Sequence, residues 1–310
     1  MQRIAIDHPY RLRAVGPERE QLGEGPIWDD RGGRLLRVDI LGGRVLASMP
    51  PYQRSATMAV RGEVSAAVLC EADGIVLAIG HELVGYGSDG SHETLAIVEA
   101  GKPENRFNDC RCDPQGRLWA GTMNKQRRFG RAALYCLTAG EPIRRVIAET
   151  TLSNGIGWSP GGELMYFVDS TTQGIDVFDF DGTTGMIENR RRFATVDPGG
   201  GLPDGLTVDA AGGVWLCLFG GAAIHRYAPD GSLNDVIQLP VTNPTCPAFG
   251  GPDLETLFIT SARHRLSQTQ LDKEPLAGAV LALEPGVAGL PANRFAGWSG
   301  PRPVSRPVTA

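Results

Sequence analysis

Six times along this chain a turn runs directly into a short apolar strand: DDRGGRLLRVDI, CEADGIVLAI, CDPQGRLWAGTM, WSPGGELMYFVDS, VDAAGGVWLCLF and GGPDLETLFITSA. The shared turn position falls at Gly33, Gly74, Gly116, Gly162, Gly212 and Glu255, giving spacings of 41, 42, 46, 50 and 43 residues. Repeats of this period with strand patterning read as propeller blades. A lone blade cannot cover both faces of its sheet, so six of them must pack into a closed disc. The fold class expected is all-β, a six-bladed β-propeller, forming a single domain over residues 1–300 with a Pro-rich tail over 301–310.

The strand pattern supports this. Apolar runs at Leu35 to Ile40, Val64 to Ile79, Arg117 to Thr122, Leu164 to Val168, Val214 to Phe219 and Leu257 to Thr260 are bounded by Gly, Pro or Asp. Alternating segments at Ile175 to Phe180 and Ala223 to Tyr227 lead into the hairpin sequences FDGTTG and APDGS. Ring closure predicts that a strand near Tyr10 to Val15 joins the last blade beside Val280 to Leu283. Long helical periodicity is absent.

Apolar residues make up 42% and charged residues 21%, enough to bury a substantial core. A net charge of -5 argues against nucleic acid. The basic runs Arg127, Arg128, Arg131 and Arg190 to Arg192 are too short for a groove binder and read as solvated loops. The N-terminal segment lacks the apolar stretch of a secretory signal, and no stretch approaches the roughly 20 residues of a membrane span, so cytoplasmic residence without a membrane partner is expected. A monomer or weak homo-oligomer is expected. The six cysteines have no zinc spacing and read as buried reduced thiols. The five histidines share no repeat phase and receive no catalytic role.

Counting back from the turns gives Glu24 nine residues ahead, and Asn108, Asn154 and Asp204 eight residues ahead. The other two blades carry Ala66 and Pro247 at eight. Equal phase in a propeller means equal depth in the central channel, so four oxygen-bearing side chains are predicted to converge on one point. Turn preference of Asn and Asp accounts for any one of them. It does not account for two carboxylates and two amides on one ring. Such an all-oxygen set suits Ca²⁺, Mg²⁺ or Mn²⁺, and Zn²⁺ and Fe²⁺ also accept it. A cation with open coordination positions polarises a carbonyl, which makes ester or lactone hydrolysis the natural class, with Asp204 the preferred general base. Arg106 alternates onto the face of Asn108 and is placed to bind a substrate oxygen.

The segments GEGPIW, RFNDCRCDPQGRLWAGTM, SNGIGWSP, PDGLTVDAAGGVWL and CPAFGGPDLETLFITSAR occur in the order of the SMP-30/gluconolactonase/regucalcin family, which the chain resembles over nearly its whole length. The resemblance implies a six-bladed propeller acting as a metal-dependent sugar lactonase. It implies Glu24, Asn154 and Asp204 as ligands of one divalent metal ion, Asp204 also as base, and Arg106 with Asn108 as substrate contacts. Animal regucalcins carry a sugar-holding glutamate after the GTM motif; that place falls on Gln126 here, which leaves the sugar open among gluconolactone, xylonolactone, arabinolactone and others. A non-catalytic calcium-binding role, also attributed to animal members, uses the same ring. A protein-interaction platform does not need axial carboxylates, and the Gly-His and Trp-Asp signatures of the commonest kind are missing.

Overall fold

The computed structural model describes residues 10–300. The tail expected over 301–310 lies outside them. Six four-stranded antiparallel sheets follow one another along the chain. Their inner strands are Gly23–Asp29, Val64–Leu69, Asn105–Cys112, Ser153–Trp158, Leu202–Val208 and Pro244–Gly250. Each packs on the next, and the sixth packs on the first, closing the ring. Closure is also stitched by the chain's start: Arg13–Val15 is the outer strand of the sixth sheet, pairing Arg13 with Ala282 and Val15 with Val280. The segment Val64 to Ile79, read above as one apolar run, is two strands, Val64–Leu69 and Ile75–Ile79, because the turn at Gly74 folds it back on itself.

The repeated turn has a physical reason. Asp113 Oδ1 accepts from the backbone N–H of Gln115 and Arg117, both at 3.0 Å, while Oδ2 accepts from Arg117 Nε at 2.6 Å and from the buried Trp119 indole at 2.9 Å. Asp209 repeats the arrangement, accepting from Ala211, Gly213, Trp215 and Arg226. One carboxylate thereby shapes the hairpin and satisfies the core indole. The five aligned turn glycines all have positive φ, from 57° at Gly33 to 124° at Gly74, a backbone region that side chains disfavour. In the sixth blade the left-handed residue is Leu254 (φ 56°), one place before Glu255.

Each inner strand slips its register at the same height. The slips lie between Glu24 and Ile27, Val64 and Ala66, Phe107 and Cys110, Ser153 and Ile156, Pro203 and Leu206, and Pro244 and Pro247. A β-bulge turns a side chain away from the ladder. Here six of them aim residues at the channel axis.

Candidate active site

The bulges settle which residues share the ring. Ser153, Phe107, Pro203, Pro244 and Val64 are the last paired residues before the slip, so the next residue in each blade is equivalent: Asn154, Asn108, Asp204, Thr245 and Ser65. In the first blade the slip starts one residue later, with Glu24 itself still paired opposite Val38, and Glu24 joins the ring by lining the same cavity. The ring positions of the second and sixth blades are therefore Ser65 and Thr245, not the Ala66 and Pro247 reached by counting from the turn. Hairpin loops of different length shifted that count. The ring is polar all round, but two of its hydroxyls face protein: Ser65 Oγ donates to Ala78 O at 3.4 Å and Thr245 Oγ1 to Gly23 O at 2.6 Å.

Glu24, Asn108, Asn154 and Asp204 line one cavity of about 100 Å³, together with Arg106, Ser170 and an apolar wall that includes Met123 and Phe219. A donor chain fixes the amides. Arg106 Nη1 donates to Asn108 Oδ1 at 2.7 Å; Asn108 Nδ2 donates to Asn154 Oδ1 at 2.8 Å; Asn154 Nδ2 donates to Ser170 Oγ at 2.8 Å, which donates to Pro203 O at 2.6 Å. Arg106 is further held by Glu63, 3.8 Å from its Nε. Ser170 reaches the site because it opens the turn Ser170–Thr172, which Asp169 caps.

The glycine after the ring residue has a packing role. A Cβ on Gly205 would lie 2.4 Å from Cys246 Sγ and 2.7 Å from Cys246 Cα, and one on Gly155 would lie 2.6 Å from Leu206 N. Adjacent inner strands touch at these points. In the third blade the equivalent residue is Asp109, fully buried, with one carboxylate oxygen accepting from Cys110 N at 2.9 Å and the other without a hydrogen-bond partner. Arg111 sits close to it and donates to Pro26 O at 3.0 Å.

Three buried acids thus stand close enough to feel one another's charge. Burial, followed by the charge of Asp109, pushes the Glu24 carboxyl up to about 8. Burial, then Glu24 and Asp109, raises Asp204 well above the usual carboxylate range. Burial also raises Asp109. Like charges out of water disfavour ionisation until a cation answers them.

Of the residues expected at the site, Gln126 stands apart: its side chain is exposed and does not line the cavity. Its neighbour Arg127 does, so this arginine is no mere solvated loop residue. His264 and Arg265, from the loop after Thr256–Ser261, the second strand of the sixth blade counted from the axis, line the cavity as well. Arg127, Asp109, Ser170, His264 and Arg265 were not found from sequence. Asp109 alone left a signal, as the one acid in a place where three other blades have glycine. A second cavity of about 310 Å³, lined by Arg111, Trp28, Trp158 and Phe249, has no carboxylate in its wall. Chemistry, not size, makes the smaller one the candidate site.

The model of the SMP-30/gluconolactonase/LRE-like region matches residues 22–263, a span holding every ring residue. The chain belongs to this family. Xenopus laevis regucalcin is 32% identical over 295 residues, covering 93% of this chain and 99% of the relative. The Bacillus subtilis candidate sugar lactone lactonase YvrE is 33% identical over 282 residues, covering 90% and 96%. The crystal structure of a calcium-binding protein, regucalcin, from Agrobacterium tumefaciens superposes with a TM-score of 0.88 at 29% identity, covering 93% of this chain and 98% of that one. Six-bladed propeller architecture is thus common to this member and its family. None of its described helices is long and apolar enough to cross a membrane.

Proposed function

We propose that this protein hydrolyses a sugar lactone to the aldonic acid with the help of one divalent cation. The observation that carries the reading is the convergence of Glu24, Asn154 and Asp204 from three blades in one buried cavity beside Arg106 and Asn108. The family, and a relative named for sugar lactone hydrolysis, support it.

The donor set fits a hard cation. Two buried carboxylates repel each other, and Asn154 Oδ1 spends one lone pair on Asn108 and keeps the other. Glu24, Asn154 and Asp204 would hold the ion. When bound, it supplies positive charge that polarises the lactone carbonyl and offsets the repulsion between the acids. Its identity is open among Ca²⁺, Mg²⁺, Mn²⁺, Zn²⁺ and Fe²⁺.

Arg106 orients the substrate by donating to its oxygens, and Asn108, whose two N–H groups are taken by Ser153 O and Asn154 Oδ1, accepts from a substrate hydroxyl through the remaining lone pair of its Oδ1. Asp204 accepts a proton from the attacking water as the water oxygen bonds to the carbonyl carbon. The ring C–O bond then breaks, and the proton passes to the leaving ring oxygen, giving the open hydroxy acid. The apolar wall of Met123, Leu152 and Phe219 limits competing water.

A second reading is a calcium-binding protein without turnover, which the name of the Agrobacterium structure favours. A pH-drop assay over several sugar lactones separates the two. Turnover that disappears with chelator and in Asp204→Asn supports the enzyme; tight metal binding with no turnover of any lactone refutes it.

A further inference from the structure

The mouth of the cavity is cationic. Arg127 and Arg265, from loops of the third and sixth blades, meet there with His264. They are close enough that Arg265 lowers the basicity of Arg127, after burial, and that both arginines lower that of His264. Arg127 has φ 54° and Arg265 φ 68°, left-handed backbone that a non-glycine residue holds at some cost. Two strained loop positions thus present arginine to one opening.

The charges do not balance within the site. Arg106 has Glu63. Glu24 and Asp204 would be answered by the divalent cation. Arg127 feels Asp204 across the cavity, yet neither it nor Arg265 has an ion pair or a side-chain hydrogen bond among the described residues. Two planar donor forks therefore stand free above a floor that would receive the reacting carbonyl.

We infer that the substrate is an anionic sugar lactone, bearing a carboxylate or phosphate at the end remote from the lactone carbonyl, which Arg127 and Arg265 bind. This rests on the lactonase reading above, because the floor must take the lactone for the far end of the sugar to reach the mouth. The arginines act as specificity determinants. A sugar ring carrying only hydroxyls fills the floor but leaves both guanidinium groups without a counter-charge.

The test compares kcat/KM for gluconolactone, which is neutral, glucarolactone, which carries a carboxylate, and phosphogluconolactone. The wild type should prefer at least one anionic lactone by tenfold or more at low salt, with the preference shrinking as sodium chloride is added. The anionic-to-neutral ratio should fall at least tenfold in Arg127→Gln/Arg265→Gln and be largely kept in Arg127→Lys/Arg265→Lys. Which anionic lactone is preferred identifies the group. Preference for gluconolactone in the wild type, or a ratio unmoved by the glutamine pair, overturns the inference. Should no lactone turn over, the hydrolytic reading fails, and calorimetric titration with phosphogluconate and gluconate decides the matter of charge. Tighter phosphogluconate binding that the glutamine pair abolishes upholds the anion site; equal affinities sink it.

Discussion

Replacing Gly205 by alanine tests whether strand contact, and not the ring residue alone, sets the geometry of the site. The new Cβ would stand 2.4 Å from Cys246 Sγ, 2.5 Å from its Cβ and 2.7 Å from its Cα. Carbon atoms rest at about 3.5–4.0 Å, and a Cα has no rotamer with which to yield, so the fifth and sixth inner strands must part by roughly 1 Å. Overpacking of this kind costs about 1–3 kcal/mol. For a domain of this size that is roughly 2–5 °C in Tm. The larger effect should fall on activity. Asp204 precedes Gly205 in the same bulge, and a misplacement of about 1 Å in a catalytic group lowers the rate on the order of a hundredfold. Gly101→Ala is the control, because its Cβ would meet nothing within 4 Å, and it should stay within about 0.5 kcal/mol of wild type. Thermal melts and lactone hydrolysis on both variants are the assay. Wild-type kcat/KM in Gly205→Ala, with Gly101→Ala equally silent, would refute the reasoning.

Three further outcomes follow from the same structure. Asp113→Ala leaves a buried indole and two backbone donors without their acceptor and should cost roughly 2–3 kcal/mol, read as a lower Tm, with no change in metal affinity. In chelator, stability should fall as pH rises from about 4.5 to about 8, because Glu24, facing Asp109, Asp204, Arg106 and Arg111, binds its proton more tightly folded than unfolded. Excess divalent cation should remove that fall in the melting curves; a flat profile in chelator contradicts the buried-acid picture. Arg106→Ala should raise KM by about tenfold or more with a smaller effect on kcat, since one charge-assisted hydrogen bond contributes roughly 1.5–3 kcal/mol, and identical constants for several lactones would remove it from the substrate site.

Much of this architecture was written in local chemistry. Asp113 and Asp209 each bind their own turn and their own tryptophan, so the turns of the third and fifth blades are legible from their local sequence. The phase of Asn108, Asn154 and Asp204 was legible because their hairpins have equal length. Ser65 and Thr245 were missed because those of the second and sixth blades do not, and only strand register reveals the equivalence. Arg127, His264 and Arg265 carry no repeat phase at all. They sit on loops whose meeting is a product of ring closure, which brings the third and sixth blades to face each other across one opening. Gln126 shows the same limit from the other side: spacing placed it at the site, and its neighbour Arg127 lines the cavity instead.

Anomalous diffraction from a crystal soaked in Mn²⁺ examines the main proposition without recourse to turnover. One strong peak should lie at roughly 2.0–2.5 Å from oxygens of Glu24, Asn154 and Asp204 together, and it should vanish in Asp204→Asn. A cation bound elsewhere, or none in the channel at millimolar metal, would contradict the account.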